Sequence, residues 1–175
     1  MTIFCIAITF FFMCTSCKKS TSIHLPFDKI EEAPNQTIYN SHSMFTDSGV
    51  LQMDMNYAVL YNFSDEKRTQ IFPKGVSSTF YNERGGKNVV LVSDSAINVQ
   101  EEKLMKFYKH VKVCDYRNGD TLFTEALYWD QNAKLIYSDV KVRKISSGLI
   151  LEGDGFDSDE QMNNVVLRNP RGVIR

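Results

Sequence analysis

A chain of 175 residues with 20 basic and 21 acidic side chains carries a formal net charge of −1 at pH 7. A nucleic-acid groove needs a clustered basic surface, so this balance removes the electrostatic footprint of a nucleic-acid partner. The length suits one domain with a real core and hardly two.

The first element is an apolar run from Ile3 to Met13, followed by Cys14-Thr15-Ser16-Cys17 and Lys18-Lys19. It is shorter than the roughly 20 residues a helix needs to cross a bilayer, and its N-terminal position is that of an export signal. Small residues directly before a cysteine resemble the bacterial lipobox. Residues 1–16 are therefore expected to be a cleaved lipoprotein signal, with Cys17 the lipid-bearing first residue of the mature protein. Two features depart from that pattern: no Lys or Arg precedes the run, and Cys14 stands where Leu is usual. An uncleaved anchor and a plain secretory signal are the alternatives, and all three place the chain after Lys19 outside the cytoplasm. Cys5 and Cys14 would leave with the signal, so Cys114 alone stays free and no internal disulfide is expected. Beside the apolar-rich stretch Val111 to Val113, Cys114 reads as a small packed side chain rather than a nucleophile.

Residues 17–38 are polar, interrupted by Pro26 and Pro34, and carry the acidic pair Glu31-Glu32, the composition of a tether. From Tyr39 the chain turns to short runs of Val, Ile, Tyr, Phe and Thr separated by turn residues, so residues 39–175 are expected to form one all-β domain. The clearest hairpin joins Val111–Tyr116 to Thr121–Thr124 through Arg117-Asn118-Gly119-Asp120, where Asn-Gly suits a type I′ turn. Other turns are expected at Thr46–Gly49, Glu83–Gly86, Asp130–Asn132, Ser146–Gly148, Asp154-Gly155 and Asn169–Gly172. A weak echo, an apolar residue followed by Asn or Asp and then Gly, recurs at Phe80…Asn82…Gly85, Val113…Asp115…Gly119 and Leu167…Asn169…Gly172, as stacked hairpins would produce. Gln100 to His110 fits both a short amphipathic helix and a strand; its β flanks favour the strand.

Catalytic constellations are scarce. His24, His42 and His110 are far apart and none has metal-ligand spacing, so no metal and no cofactor are expected. There is no Gly-x-Ser-x-Gly elbow, no Ser-x-x-Lys pair and no phosphate-binding Gly-x-x-x-x-Gly-Lys loop. Asp154 to Glu160 is rich in carboxylates, but it departs from calcium-loop order and is expected to be a solvated turn. No catalytic residue is nominated and the chain is not expected to be an enzyme.

Phe45–Gly49, Phe72-Pro73-Lys74-Gly75, Phe80-Tyr81, Gly119–Leu122, Thr124–Asp130, Ile136–Asp139 and Gly153–Phe156 together resemble one family in order and spacing. It is the LptC family of lipopolysaccharide export, in the lipoprotein-anchored form found in Bacteroidota. The likeness runs from about Asn40 to Gly172. Lys18-Lys19 lacks the acidic run of surface-exported lipoproteins, which points to retention on the periplasmic face of the inner membrane.

The resemblance implies a folded-over antiparallel sheet, a β-jellyroll or β-taco of OstA-like kind, with an apolar interior. Alternation at Leu51/Met53/Met55, Val111/Val113 and Val140/Val142 fits such a groove and an ordinary closed core equally. The candidate groove residues are Met53, Met55 and Phe80, then Val90, Val92, Phe107, Val111 and Val113, and finally Leu127, Trp129, Val140, Val142 and Leu151. The implied partners are lipopolysaccharide, the periplasmic domain of an inner-membrane ABC transporter permease, and a periplasmic bridge protein of the same β-fold. The inner membrane would be contacted through the lipid anchor. Tyr39 to Phe45 is the expected donor-side edge. Asn164 to Arg168, centred on Val165, Val166 and Leu167, is the acceptor-side edge, with Pro170 ending the pairing. The alternative is a β-rich periplasmic lipoprotein that scaffolds the envelope or carries another lipid.

Overall fold

The computed structural model describes residues 33–174 except residue 83. The expected signal, the anchor Cys17 and most of the tether lie outside these residues. Strands form wherever side chains alternate between the two faces of the chain. Along Val50–Asn62, for example, Met53, Met55 and Tyr57 are buried while their neighbours are not.

The strands are β1 (Gln36–Asp47), β2 (Val50–Asn62), β3 (Thr69–Phe72), β4 (Val76–Tyr81), β5 (Lys87–Ser93), β6 (Ser95–Val99) and β7 (Leu104–Asp115). They continue as β8 (Thr121–Asp130), β9 (Leu135–Ser138), β10 (Val142–Ser146), β11 (Leu149–Gly153), β12 (Gly155–Asp159), β13 (Val166–Arg168) and β14 (Arg171–Ile174). All pairings are antiparallel and belong to one sheet. Strand β1 begins at Gln36, so residues 36–38, expected in the tether, already pair with β2.

The pairing map shows a sheet folded along its middle. Strand β2 pairs with β4 through Met53–Tyr57 and with β3 through Tyr61 and Asn62. Strand β7 pairs with β6 through Leu104–Tyr108 and with β5 through Lys112–Asp115. Strand β8 pairs with β10 at its start and with β9 at its end. Each pair β3/β4, β5/β6, β9/β10, β11/β12 and β13/β14 is thus one strand broken at a corner, and successive bent strands stack in chain order. One arm, A, contains β3, β6, β9, β12 and β13; the other, B, contains β4, β5, β10, β11 and β14.

The corners form a crease whose backbone is turned by left-handed residues and held by hydrogen bonds from strand to strand. Gly75, Lys109, His110 and Asn169 have φ of 73°, 63°, 46° and 49°. Gly75 N–H donates to Asp94 O at 2.6 Å, Asp94 N–H to Lys109 O at 3.1 Å, and Asp154 N–H to Arg168 O at 2.9 Å. At the β9/β10 corner the buried Thr124 hydroxyl donates to Lys141 O at 3.0 Å. Backbone groups freed by the bend therefore find partners.

The tips of arm B carry the tight turns. Ser48-Gly49 and Ser147-Gly148 are two-residue connections with φ of 49° and 81°, and 46° and 83°, as a type I′ turn requires. The Asn118-Gly119 hairpin forms between the expected strands, but only Gly119 is left-handed, at 78°. Its loop is wider, closed by Gly119 N–H to Asp115 O at 2.9 Å, with the Asp115 carboxylate accepting from Arg117 N–H, also at 2.9 Å. The expected type I′ turn there gives way because the Asp115 side chain organises a longer loop. Two members of the sequence echo, at Asn82 and Asp115, are equivalent arm-B loops; the third, at Asn169, is a crease corner. Gln100 to His110 turns at its start and then enters β7 as a strand.

Two expectations need correction. Asp154 to Glu160 is a corner followed by strand β12, not a turn. Its carboxylates are engaged: Asp154 with Arg171, Asp157 with Arg168, and Asp159 with Asn163 and Asn164. Pro170 does not end the sheet, because the chain resumes as β14 and pairs with β11. Pro170 instead occupies the corner, where no ladder N–H is needed.

Candidate functional site

The inner faces of the two arms meet. In arm B one register row runs Met55, Ser78, Leu91, Val113, Leu122, Lys144 and Leu151. In arm A the facing row contains Asn98, Met105, Trp129, Ile136 and Ser158. Most of these side chains are buried, and they join one continuous apolar cluster that also takes in Phe72, Phe107, Leu127 and Phe156. Aromatic contacts tie the arms together: Trp129 of arm A lies edge-on to Phe80 and Phe45 of arm B, with centroids 5.4 and 6.2 Å apart.

Of the residues nominated from sequence, Met53, Met55, Phe80, Phe107, Val111, Val113, Leu127, Trp129 and Val142 all lie on the enclosed face and are buried. Leu151 is on the same face and half-buried. Three nominations are corrected. Val90 and Val92 point to the outer face, Val92 being 37% exposed, because the pleat turns Val89 and Leu91 inward instead. Val140 sits in the β9/β10 corner and is 40% exposed.

Sequence reasoning missed Phe72, Leu91, Met105, Ile136, Phe156 and Met162. Phe156 was hidden inside an acidic stretch, although its alternation with Asp157 and Ser158 is that of a strand. Met162 lies in an irregular segment with no periodic signal. Cys114 is half-buried on the outer face, paired in register with Val90 and Thr121.

The interior opens toward solvent at one side of arm B. A cavity of about 340 Å³ lies between arm B and the segment joining β12 to β13. Val113, Leu122, Met162 and Val165 give it apolar walls, and Asn118, Asp120, Lys144, Asn163 and Asn164 polar ones. Lys144 Nζ lies 2.8 Å from Asp120 Oδ2, which answers the inward-facing ammonium. Burial on its own would push the Asp120 carboxyl up, but hydrogen bonds from Lys144 and Ser146 outweigh it and hold the group below its usual value.

The sheet ends in two free edges. Among the described residues strand β1 pairs only with β2, along most of its length, and carries the exposed Tyr39 and Met44 at 67% and 64%. At the other end, among the described residues, β13 pairs only with β12 and β14 only with β11. Val166 is 63% exposed there, whereas Leu167 and Val165 turn inward onto the core; the strand starts at Val166. Phe45 also turns inward, so the nominated edge residues divide between backbone edge and core.

The family model for lipopolysaccharide-assembly, LptC-related proteins matches residues 4–174. The chain belongs to this LptC-related family. Membership gives it a part in lipopolysaccharide transport. Among solved structures it is similar to LptH, the LptA-homologous periplasmic component of the lipopolysaccharide transport device from Pseudomonas aeruginosa. The two share 13% identity, over 83% of this chain and 97% of that one, with a TM-score of 0.31. A comparison with curated proteins returned no match.

Proposed function

We propose that this LptC-related chain is a periplasmic relay for lipopolysaccharide. It receives the lipid from the permease of an inner-membrane ABC transporter and passes it to a bridge protein of the same fold. Cys17 would hold it by a lipid anchor on the periplasmic face of the inner membrane. The observation that carries this reading is the folded sheet itself, whose apolar faces turn inward and whose edge strands β1, β13 and β14 each have one strand partner among the described residues. Burial of acyl chains is worth about 0.8 kcal/mol per CH₂, so an enclosed apolar face is a strong acceptor for lipid tails. Exposed N–H and C=O groups on β1 and on β13/β14 suit strand addition by a neighbour at each end. The chain itself needs no hydrolytic chemistry in this scheme, since ATP is consumed by the transporter.

The test uses photoreactive amino acids at the exposed positions Tyr39 and Val166 of the full chain in cells. The expected result is an adduct with the permease from Tyr39 and with the bridge protein from Val166. If transport is active and neither adduct forms, strand addition at the edges is wrong, and the scaffold or alternative-carrier reading takes precedence.

A further inference from the structure

The segment between β12 and β13, both strands of arm A, reaches across the cavity to arm B, and it is fastened to both arms. On the arm-A side, Trp129 Nε1 donates to Glu160 Oε1 at 2.9 Å. Asp159 then shapes the turn, accepting from Asn163 N–H at 2.8 Å and from Asn164 Nδ2 at 3.0 Å. On the arm-B side, the Arg117 guanidinium donates to Met162 O at 2.9 Å and to Asn163 Oδ1, while Asp115 holds the same guanidinium at 2.7 and 2.9 Å. Arg117 belongs to the β7–β8 loop, so these bonds span the two arms. Met162 has φ of 57°, a conformation uncommon outside glycine, and its side chain is only 6% exposed within the apolar cluster.

Resting on the proposed relay function, we infer that residues 160–165 form a strap over the acyl-chain site and that Met162 is a plug displaced by the lipid. The site is the space now shared by the Met162 side chain and the adjoining cavity, walled on its apolar side by Val113, Leu122 and Val165 and on its polar side by Asp120, Lys144 and Asn163. An unbranched thioether is similar to a short length of acyl chain in width and flexibility, and its departure would extend the 340 Å³ cavity into the space between the arms. Arg117 sets the threshold. Its planar fork, pre-aligned by Asp115, makes the charge-assisted bonds that must open before the strap lifts. Glu160 couples the strap to Trp129, so opening changes the surroundings of the protein's one tryptophan.

The experiment follows Trp129 fluorescence after the full chain in detergent is mixed with purified lipopolysaccharide, with lipid binding measured separately by co-sedimentation. Arg117→Ala is expected to accelerate the fluorescence change by at least about tenfold, the factor for losing even one of its two charge-assisted hydrogen bonds to the strap. Arg117→Lys, which keeps the charge but not the fork, should fall between. Met162→Ala should raise the amount of lipid bound with the Arg117 bonds intact. Far-ultraviolet circular dichroism and thermal melts check that each variant is folded, and any one folded variant suffices. If folded variants bind lipid at the wild-type rate and amount, the strap is structural and the inference is overturned. If the wild type itself neither binds lipid nor changes its fluorescence, the relay reading falls, and the strap with it.

Discussion

Phe80 and Trp129 stand on opposite arms of the folded sheet, 5.4 Å apart with their planes at 76°. The edge-on contact joins β4 to β8 across the interior, and Phe45 of β1 adds a second ring to the same indole. The N-terminal edge strand is thereby packed to the far arm as well as hydrogen-bonded to β2. Trp129→Ala removes this aromatic junction and a buried side chain, and should cost about 3–5 kcal/mol. Denaturant unfolding measures it; a loss well under 1 kcal/mol would mean that the arms are held together elsewhere.

Gly155 should tolerate no side chain. A Cβ there would lie 2.4 Å from Ser138 O and 3.0 Å from the Arg168 guanidinium, which crosses this corner to donate to Ser138 O at 2.6 Å. The constraint is space, since backbone must move to relieve it. Gly155→Ala is expected to destabilise by about 1–3 kcal/mol and to release Arg168 from Asp139 and Asp157. Unfolding of G155A beside Arg168→Ala would show whether the two changes share a cause.

Much of this architecture was legible in the sequence, and its limits are instructive. Strands such as Met53 to Tyr57 and Val111 to Val113 declare themselves through alternation. The crease does not. Its corners share no signature: Asp94 has no glycine or proline beside it, whereas Asp154 lies between Gly153 and Gly155 and other corners hold Gly75 or Pro170, so each bent strand reads as a strand plus a turn. The run Val89-Val90-Leu91-Val92 is apolar throughout and gives no period to choose a face by. Met162 enters the core from an irregular loop, where only the tertiary contacts with Arg117 and the cluster fix its place.

The crease carries a titratable pair. His110 Nδ1 lies 2.7 Å from Asp94 Oδ2, and this hydrogen bond, aided by the charges of Asp94 and Glu125, raises the imidazole above its ordinary 6.5. A raised histidine contributes stability that is complete below about 6.5 and is lost as pH rises through the folded-state value. Both side chains are largely exposed, so the contribution is small and weakened by salt. Proton NMR of His110 should give a midpoint above 6.5 that falls in Asp94→Asn. An unchanged midpoint would mean that the pair does not persist in solution.

The Ser-Gly turns can be improved. Ser48 and Ser147 are left-handed, and asparagine adopts that conformation more readily than serine. Ser147→Asn should stabilise the domain by about 0.5 kcal/mol, a typical gain for one optimised turn. A lower melting temperature would contradict the type I′ assignment.

The central claim is that the enclosed face receives lipid. Val113 is 3% exposed, lies on the inner face of arm B and borders the cavity. A photoreactive amino acid at Val113 in the full chain together with the active transporter, irradiated with and without ATP and blotted for lipopolysaccharide, tests the claim most directly. The account predicts an adduct that depends on ATP. No adduct at Val113, Trp129 or Val142, with transporter activity verified, would show that the interior is a closed core and that the lipid travels elsewhere.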